Sequence, residues 1–433
     1  MARNALGAIH INGGRSTSAL MLVDGMPSMD AGNNGVPGEP NLDSIAEVKI
    51  MTSNFQAEYG RNAGGLITVI TKSGSKEFHG SAYDFYRHES LNANDFFGNR
   101  TGTAKAPYRY RITGYSIGGP VLIPKTDFNK GRDKLFFFFS QELVGSRNNW
   151  APQFINVPTQ LERDGDYSKS FDVSGVRIPV KDPATGLNFP GNVVPKDRIN
   201  KLGQSMLNFL PLPNYTDPDP SNLYRRNYRT VPSGGWPRRQ EVARVDYNIK
   251  PSFQVFYRLM QDFNQLLLQT GSGGWPAGGV NYLLTPIMWD RPSRAQAVHA
   301  TNILSPTLVN EVTFTRSFNS VITYATNPSV LDRALMGNPA QWFKDAKPSS
   351  LYIPALTFGG TPANTANTTL ESRMPDALPD PGYTVTENVS KIRGSHSLKM
   401  GVYVEWNNKL QAATVQTRGF GTREKLPRFA RQK

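Results

Sequence analysis

The chain has 433 residues, 48 Lys plus Arg against 34 Asp plus Glu, a net charge of +14 and no cysteine. The missing thiols exclude disulfides, cysteine metal sites and cysteine nucleophiles. The cations are spread singly apart from pairs such as Arg225-Arg226 and Arg238-Arg239, which reads as solvated basic loops and not as a nucleic-acid surface.

In chain order, "MARNALGAIHINGG" carries no apolar run of signal-peptide length, and no later window is long and apolar enough for a membrane helix. Residues 1–74 read as a compact α/β or mixed module. "SALMLVDG" predicts a buried strand entering a turn. "DSIAEVKIM" predicts a helical turn capped by Asp43 or Ser44, then a strand, and "GGLITVITKSG" predicts a strand bounded by glycine at both ends.

Beyond Gly74 the pattern alternates with period two. Ala243, Val245, Tyr247 and Ile249 fall on one face, with Arg244, Asp246 and Asn248 on the other. Phe253, Val255, Tyr257 and Leu259 repeat the pattern against Gln254 and Arg258. Leu398, Met400, Val402, Val404 and Trp406 repeat it against Lys399, Gly401 and Glu405. Such segments predict strands with one apolar and one polar side. About nine occur, near 78–88, 108–118, 133–144, 239–249, 252–264, 294–304, 307–318, 383–392 and 396–408. Most are longer than the common globular strand of about 5–6 residues and match the roughly 9–11 needed to cross a bilayer at a tilt. Lys250-Pro251, Ser305-Pro306 and Arg393-Gly394-Ser395 predict tight turns, whereas the links near 145–238, 265–293 and 319–382 are long and rich in Pro, Gly and Asn. Short and long connections alternate, as they do in outer-membrane barrels with short periplasmic turns and long outer loops.

The local chemistry is sparse. "TKSGSK" lacks the upstream glycine spacing of a phosphate loop, and the calcium-loop reading of "DAGNNG" fails because Gly32 has no side-chain oxygen and the twelfth position is Asn41, not Glu. His10, His79, His88, His299 and His396 share no metal-ligand spacing, and no G-x-S-x-G elbow is present. No catalytic residue, metal site or cofactor is assigned. "KLFFFFS" reads as a strand with a lipid-facing and a core-facing side.

Several ordered stretches resemble the TonB-dependent outer-membrane transporters, in particular their Oar-like branch. "MLVDGMP" and "LDSIAEVKIMTSNFQAEYGRNAGGLITVITKSG" are similar to the end of that family's plug. "KEFHGSAYDFYRHESLNANDFF", "YSIGGPVLIPK" and "KLFFFFSQE" resemble its first barrel strands, "FPGNVVPKDRINKLGQSMLNFLPLPN" its large outer loop, and "GSHSLKMGVYVEW" a later hairpin strand. The resemblance implies a mainly β chain: a partial transmembrane antiparallel barrel of about nine long strands over 75–433, with a small α/β plug remnant over 1–74. It implies an energy-coupled importer in the outer membrane of a Gram-negative-type bacterium. Its partners would be membrane lipid, a TonB-type energy-coupling protein acting on the full-length parent, and a ligand such as an iron chelate, glycan or peptide; nucleic acid is not among them.

On this reading Asp24, Gly25, Glu58, Tyr59, Gly60, Arg61, Gly64, Gly65, Thr71, Lys72 and Gly74 are structural residues of the plug and its turns. Arg61 and Glu142 are candidates for a plug–barrel ion pair. Tyr224, Tyr228, Trp236, Trp275 and Trp342 are candidate ligand contacts in the long loops, because aromatic rings offer stacking area. A plugged lumen needs about 22 strands, so the expected object is a fragment: the latter part of a plug and the first part of a barrel. Surface adhesion or display without uptake is the alternative within membranes, and a soluble β-rich carbohydrate-binding protein is the alternative outside them.

Overall fold

The computed structural model describes residues 10–15, 18–30, 36, 38–59, 64–101, 105, 108–149, 153–230, 233–235, 237–268, 287–336, 353, 365–366 and 376–409. Its first unit is a four-stranded sheet. β1 (Ala19–Val23), β2 (Met26–Pro27), β3 (Ile45–Met51) and β4 (Gly65–Thr71) lie in the order β2-β1-β4-β3. β1 and β4 run parallel in the middle, which explains their unbroken apolar sequences: a central strand covered on both faces has no polar side. Met21, Val23, Ile67 and Val69 pack on one face with Ile11 and Val36. Leu20, Leu22 and Leu66 pack on the other with Met29, Met51, Phe55 and Tyr59.

Among the described residues this unit contains no α-helix. The helical turn foreseen before β3 is a single 3-10 turn, Leu42–Ser44, and its cap is Asn41, not Asp43 or Ser44: the Asn41 side chain accepts from the Ser44 N–H. The β1–β2 hairpin turns through Asp24 (φ 51) and Gly25 (φ 80), the two left-handed residues that a tight primed hairpin turn requires.

The second unit is a wall of nine long antiparallel strands in sequence order. They are β5 (His79–His88), β6 (Tyr108–Pro120), β7 (Leu135–Asn149), β11 (Arg238–Lys250), β12 (Phe253–Leu268), β13 (Ile287–Ser305), β14 (Leu308–Ala325), β15 (Asp376–Arg393) and β16 (His396–Asn407). The short β8 (Gln153–Ile155) pairs with β9 (Tyr228–Thr230), and β10 (Ser233–Gly235) pairs with the outer end of β7. α1 (Phe96–Thr101) follows β5, and α2 (Gln160–Arg163) and α3 (Lys201–Phe209) lie between β8 and β9.

The alternating pattern lands in one register. Phe137, Val245, Tyr257, Val298, Phe314, Val385 and Val404 form a single row across seven strands. Val245, Tyr257, Val298, Phe314 and Val404 of this row are exposed. The row one residue along, Phe138–Arg244–Arg258–Ala297–Thr315–Thr384–Glu405, occupies the opposite face. A sheet that presents apolar rings outward and Arg, Thr and Glu inward suits lipid on one side and a polar lumen on the other.

The strands are longer than the alternation suggests: β13 has 19 residues and β14 and β15 have 18 each. In β13, β14 and β15 nearly all the added length lies on the long-loop side, so the links near 265–293 and 319–382 shrink and the strands continue past the apolar belt. Pro292, Pro379 and Pro381 lie within these extensions. Proline normally argues against a strand interior, and the β13–β14 ladder does lapse at Arg291 and Pro292.

Candidate functional site

The small sheet sits against the inward face of the wall, and the contacts between them are mostly charged. Asp24 is at their centre. Its Oδ1 accepts the Thr71 N–H at 2.8 Å, and its Oδ2 accepts the Thr71 hydroxyl at 2.8 Å and Arg258 Nη1 at 2.8 Å. Arg258 Nη1 also donates to the Val23 carbonyl at 3.0 Å. Arg244 Nη1 lies 3.5 Å from Asp24 Oδ1 and donates to Thr71 Oγ1 at 3.2 Å.

Arg244 and Arg258 are directly opposite one another on β11 and β12. Two facing cations destabilise a ladder. Here Asp24 lies between them, and Asp246 takes two further donors of Arg244 at 2.8 to 3.1 Å. The Arg244 guanidinium also covers the Phe256 ring at 4.1 Å. Arg258 is only 2% exposed, so the small sheet seals this pair from water.

A second cluster lies toward the loop end. Arg238 bridges Glu39 (3.5 Å) and Asp262 (2.6 Å), and Gln240 Nε2 donates to the Glu39 carbonyl at 2.7 Å. Around these, Ser140 donates to Asn41, Ser81 to Asp43, Lys399 to Glu58 and Lys409 to Asp30, at 2.6 to 2.9 Å. In each ion pair that joins the two units the carboxylate is on the small sheet's segment and the cation on the wall's. The wall's cations thus match acids of the small sheet, a correspondence invisible in the chain's net charge. Two buried side-chain atoms at this seam, Asn41 Nδ2 and Arg258 Nε, have no hydrogen-bond partner among the described residues.

The residues singled out from the sequence fall as follows. Glu58 pairs with Lys399 at 2.8 Å, and Tyr59 packs against the leucines of β1 and β4. Burial, and then the neighbouring Glu58 carboxylate, push the Tyr59 phenol above its ordinary value. A side chain on Gly64 would strike Ser18, and one on Gly65 (φ 152) would strike Ile11. The Lys72 N–H continues the sheet by donating to the Ser44 carbonyl at 2.8 Å. Gly74 passes so close to the wall that a Cβ would collide with the Phe137 and Gly119 carbonyl oxygens, so the link between the two units runs flat against β6 and β7.

Gly60 and Arg61 lie outside the described residues. Glu142 does face the lumen, but it accepts the Tyr83 hydroxyl at 2.7 Å, a bond within the wall. Tyr83 reaches it by lying over Gly114, where any side chain would block the ring. Among the described residues the charged pairs of the seam are Asp24 with Arg258 and Arg244, Glu39 with Arg238, Glu58 with Lys399 and Asp30 with Lys409. The sequence signal for them was modest: a carboxylate in an Asp-Gly hairpin, and arginines on the polar phase of β11 and β12.

Of the loop aromatics, Tyr224 lies against Phe171 with the rings tilted and their centroids 5.0 Å apart, and Tyr228 packs against Val157, Leu210 and Ala366. Both rings are half-buried in the loop's own core. Trp236, Trp275 and Trp342 lie outside the described residues. Arg163 organises this loop by donating to the Pro158, Leu210 and Pro211 carbonyls at 2.7 to 3.2 Å. No group of three or more His, Asp or Glu side chains converges as a metal set among the described residues.

A family model described as an outer membrane beta barrel domain matches residues 70–425. The chain belongs to this outer-membrane barrel family. The nine-stranded wall is thus membrane-spanning, and its exposed apolar rows face lipid. The barrel chain is 31% identical over 142 residues to the TonB-dependent transporter Oar of Myxococcus xanthus, a match covering 32% of this chain and 12% of that protein. It is 26% identical over 256 residues to the ferrienterobactin receptor of Escherichia coli K12, covering 53% of this chain and 30% of that receptor. Among solved structures, the outer membrane transporter YddB from Escherichia coli superposes with a TM-score of 0.49 at 10% identity, over 92% of this chain and 41% of that one.

Proposed function

We propose that the chain is part of an energy-coupled outer-membrane importer, with residues 1–74 the latter part of a plug and 75–433 the first part of the barrel around it. The observation that carries this reading is the seam: a sheet with its own apolar core held against the lumen wall by ion pairs and hydrogen bonds. Charged pairs that exchange for water when separated let a folded plug shift without exposing a hydrophobic surface. The relatives' printed functions, a TonB-dependent transporter and a ferrienterobactin receptor, support import, and the second favours an iron chelate over glycans and peptides as the ligand class. In this account the loops collect the ligand, a TonB-type protein pulls on the plug of the full-length parent, and the Asp24–Arg258 and Glu39–Arg238 pairs open and close.

The test is uptake of a radiolabelled ferric catecholate by cells carrying the full-length parent. Import predicts accumulation that stops when the inner-membrane proton gradient is collapsed. Binding that survives the collapse, with nothing internalised for any ligand class tried, supports adhesion and sinks the importer reading.

A further inference from the structure

The turn joining β6 to β7, residues 121–134, is the longest at the short-turn end of the wall. Asn129 is buried at its centre. Its Nδ2 donates to the Val121 and Leu135 carbonyls at 2.9 and 2.7 Å, and its Oδ1 accepts the Asp133 and Lys134 N–H groups at 3.1 and 2.8 Å. Lys125, Asn129 and Arg132 hold left-handed backbone angles, φ 63, 57 and 53, which fix the direction of the two cations.

The turn folds against the outside of the barrel. Phe128 meets the Tyr247 ring at 6.4 Å, and Tyr247 lies on the same lipid-facing phase of β11 as Val245. The turn itself holds a cleft of about 530 Å³, lined by Leu122, Ile123 and Phe128 on its apolar side and by Lys125, Lys130 and Arg132, with Thr126 and the single acid Asp127, on its polar side. Leu122 and Ile123 are exposed. Lys125 has no side-chain partner among the described residues, and Lys130 meets only the exposed Asp127, at 3.4 Å. Such a pair is worth little in water. Arg132 reaches only the Lys76 carbonyl, at 3.4 Å.

Apolar side chains continuous with a lipid-facing belt, capped by three cations at the level where the belt ends, match the chemistry of one molecule: a phosphodiester head on fatty chains. We propose that this cleft binds an anionic glycerophospholipid of the leaflet at the short-turn end. Lys125, Lys130 and Arg132 take the phosphate, and Leu122 and Ile123 lie along the acyl chains. The inference rests on the barrel reading, because it needs the outer face of β11 to be in lipid.

The full chain, folded in zwitterionic detergent, is titrated with dioleoyl phosphatidylglycerol or dioleoyl phosphatidylcholine, and bound lipid is counted by native mass spectrometry. Phosphatidylglycerol is expected to be retained about tenfold more tightly, in keeping with the attraction of a few surface cations to an anionic head. The Lys125→Gln/Lys130→Gln/Arg132→Gln variant should erase that preference. Leu122→Ser/Ile123→Ser should weaken both lipids alike and leave their ratio unchanged. All five positions are exposed, and resistance of the barrel to unfolding in cold detergent verifies that each variant folds.

Equal retention of the two lipids by the unaltered chain overturns the proposal. So does a preference that survives the triple variant, or tighter binding of lipid A than of phosphatidylglycerol. A chain that stays in water and enters no vesicle of any composition defeats the barrel reading itself, and this site with it.

Discussion

Val23 and Asp24 are neighbours in the chain and are sealed in opposite ways. Val23 is fully buried among Met21, Ile67 and Val69 inside the small sheet. Asp24 is sealed by arginines of the wall. The sheet's interior is apolar and closed on both faces, while its contact with the barrel is ionic and leaves Asn41 Nδ2 and Arg258 Nε without a partner among the described residues. An apolar core resists division because separation exposes hydrocarbon to water. An ionic seam is divisible because water can solvate each half. On the proposed importer reading the two regions serve different events, permanent folding in one and reversible docking in the other.

The strongest challenge to this contrast is Val69→Asp, which places an unpaired charge in the closed core. It should cost more than about 4 kcal/mol and leave the small sheet unfolded while the wall persists. Limited proteolysis with mass mapping would show cleavage confined to residues before Gly74. Arg258→Ala comes next. Removing one partner of a buried pair costs about 3–5 kcal/mol because Asp24 keeps its buried charge. This variant should loosen docking yet leave the small sheet folded, seen as faster amide exchange in the Asp24 hairpin with slow exchange retained in β4. If exchange rises equally in both, docking and folding are one event and the contrast fails.

Adding Asp24→Asn to Arg258→Ala should recover part of the loss, since position 24 then no longer carries a buried charge that Arg244 alone, at 3.5 Å, offsets. Gly74→Ala is milder, at about 1–3 kcal/mol from overpacking against β6 and β7. Chemical denaturation monitored at the small sheet reports it, and an effect on the wall alone would misplace the link.

The smallest effect sharpens the comparison from outside the seam. The Arg198 guanidinium, and then the Ala184 N–H, hold the Asp182 carboxyl below the usual carboxylate range in the outer loop. A depressed carboxyl contributes stability above its unfolded value of about 3.9, which is lost as pH falls through its lower folded value. Protease sensitivity of residues 181–199 should therefore stay flat down to about pH 4 and rise below it. Asp182→Asn should flatten that rise. A step near neutral pH would point to a different group.

Much of the wall was legible because strand alternation is a local property: each side chain's face is set by its own position in the pleat. Val245 against Arg244, or Val404 against Glu405, already fixes which side meets lipid. The strand extensions were not legible, since beyond the bilayer both faces are wet, the alternation fades, and Pro292 and Pro381 read as breakers. In the small sheet, the runs around Val23 and Val69 signalled burial, but the cap fell to Asn41 because its carboxamide, not Asp43, sits where the Ser44 N–H points.

The sequence by itself determined the strands, their inward and outward faces and the short turns between them, because those depend on neighbours a few residues apart. Only the tertiary structure decided that Asp24 meets Arg258 and Arg244, that Glu142 answers Tyr83, and that the 121–134 turn lies on the lipid side. Such partners are brought together by the curvature and docking of whole sheets, and charge attraction carries no record in the sequence of which opposite charge, among dozens, will be the one within reach.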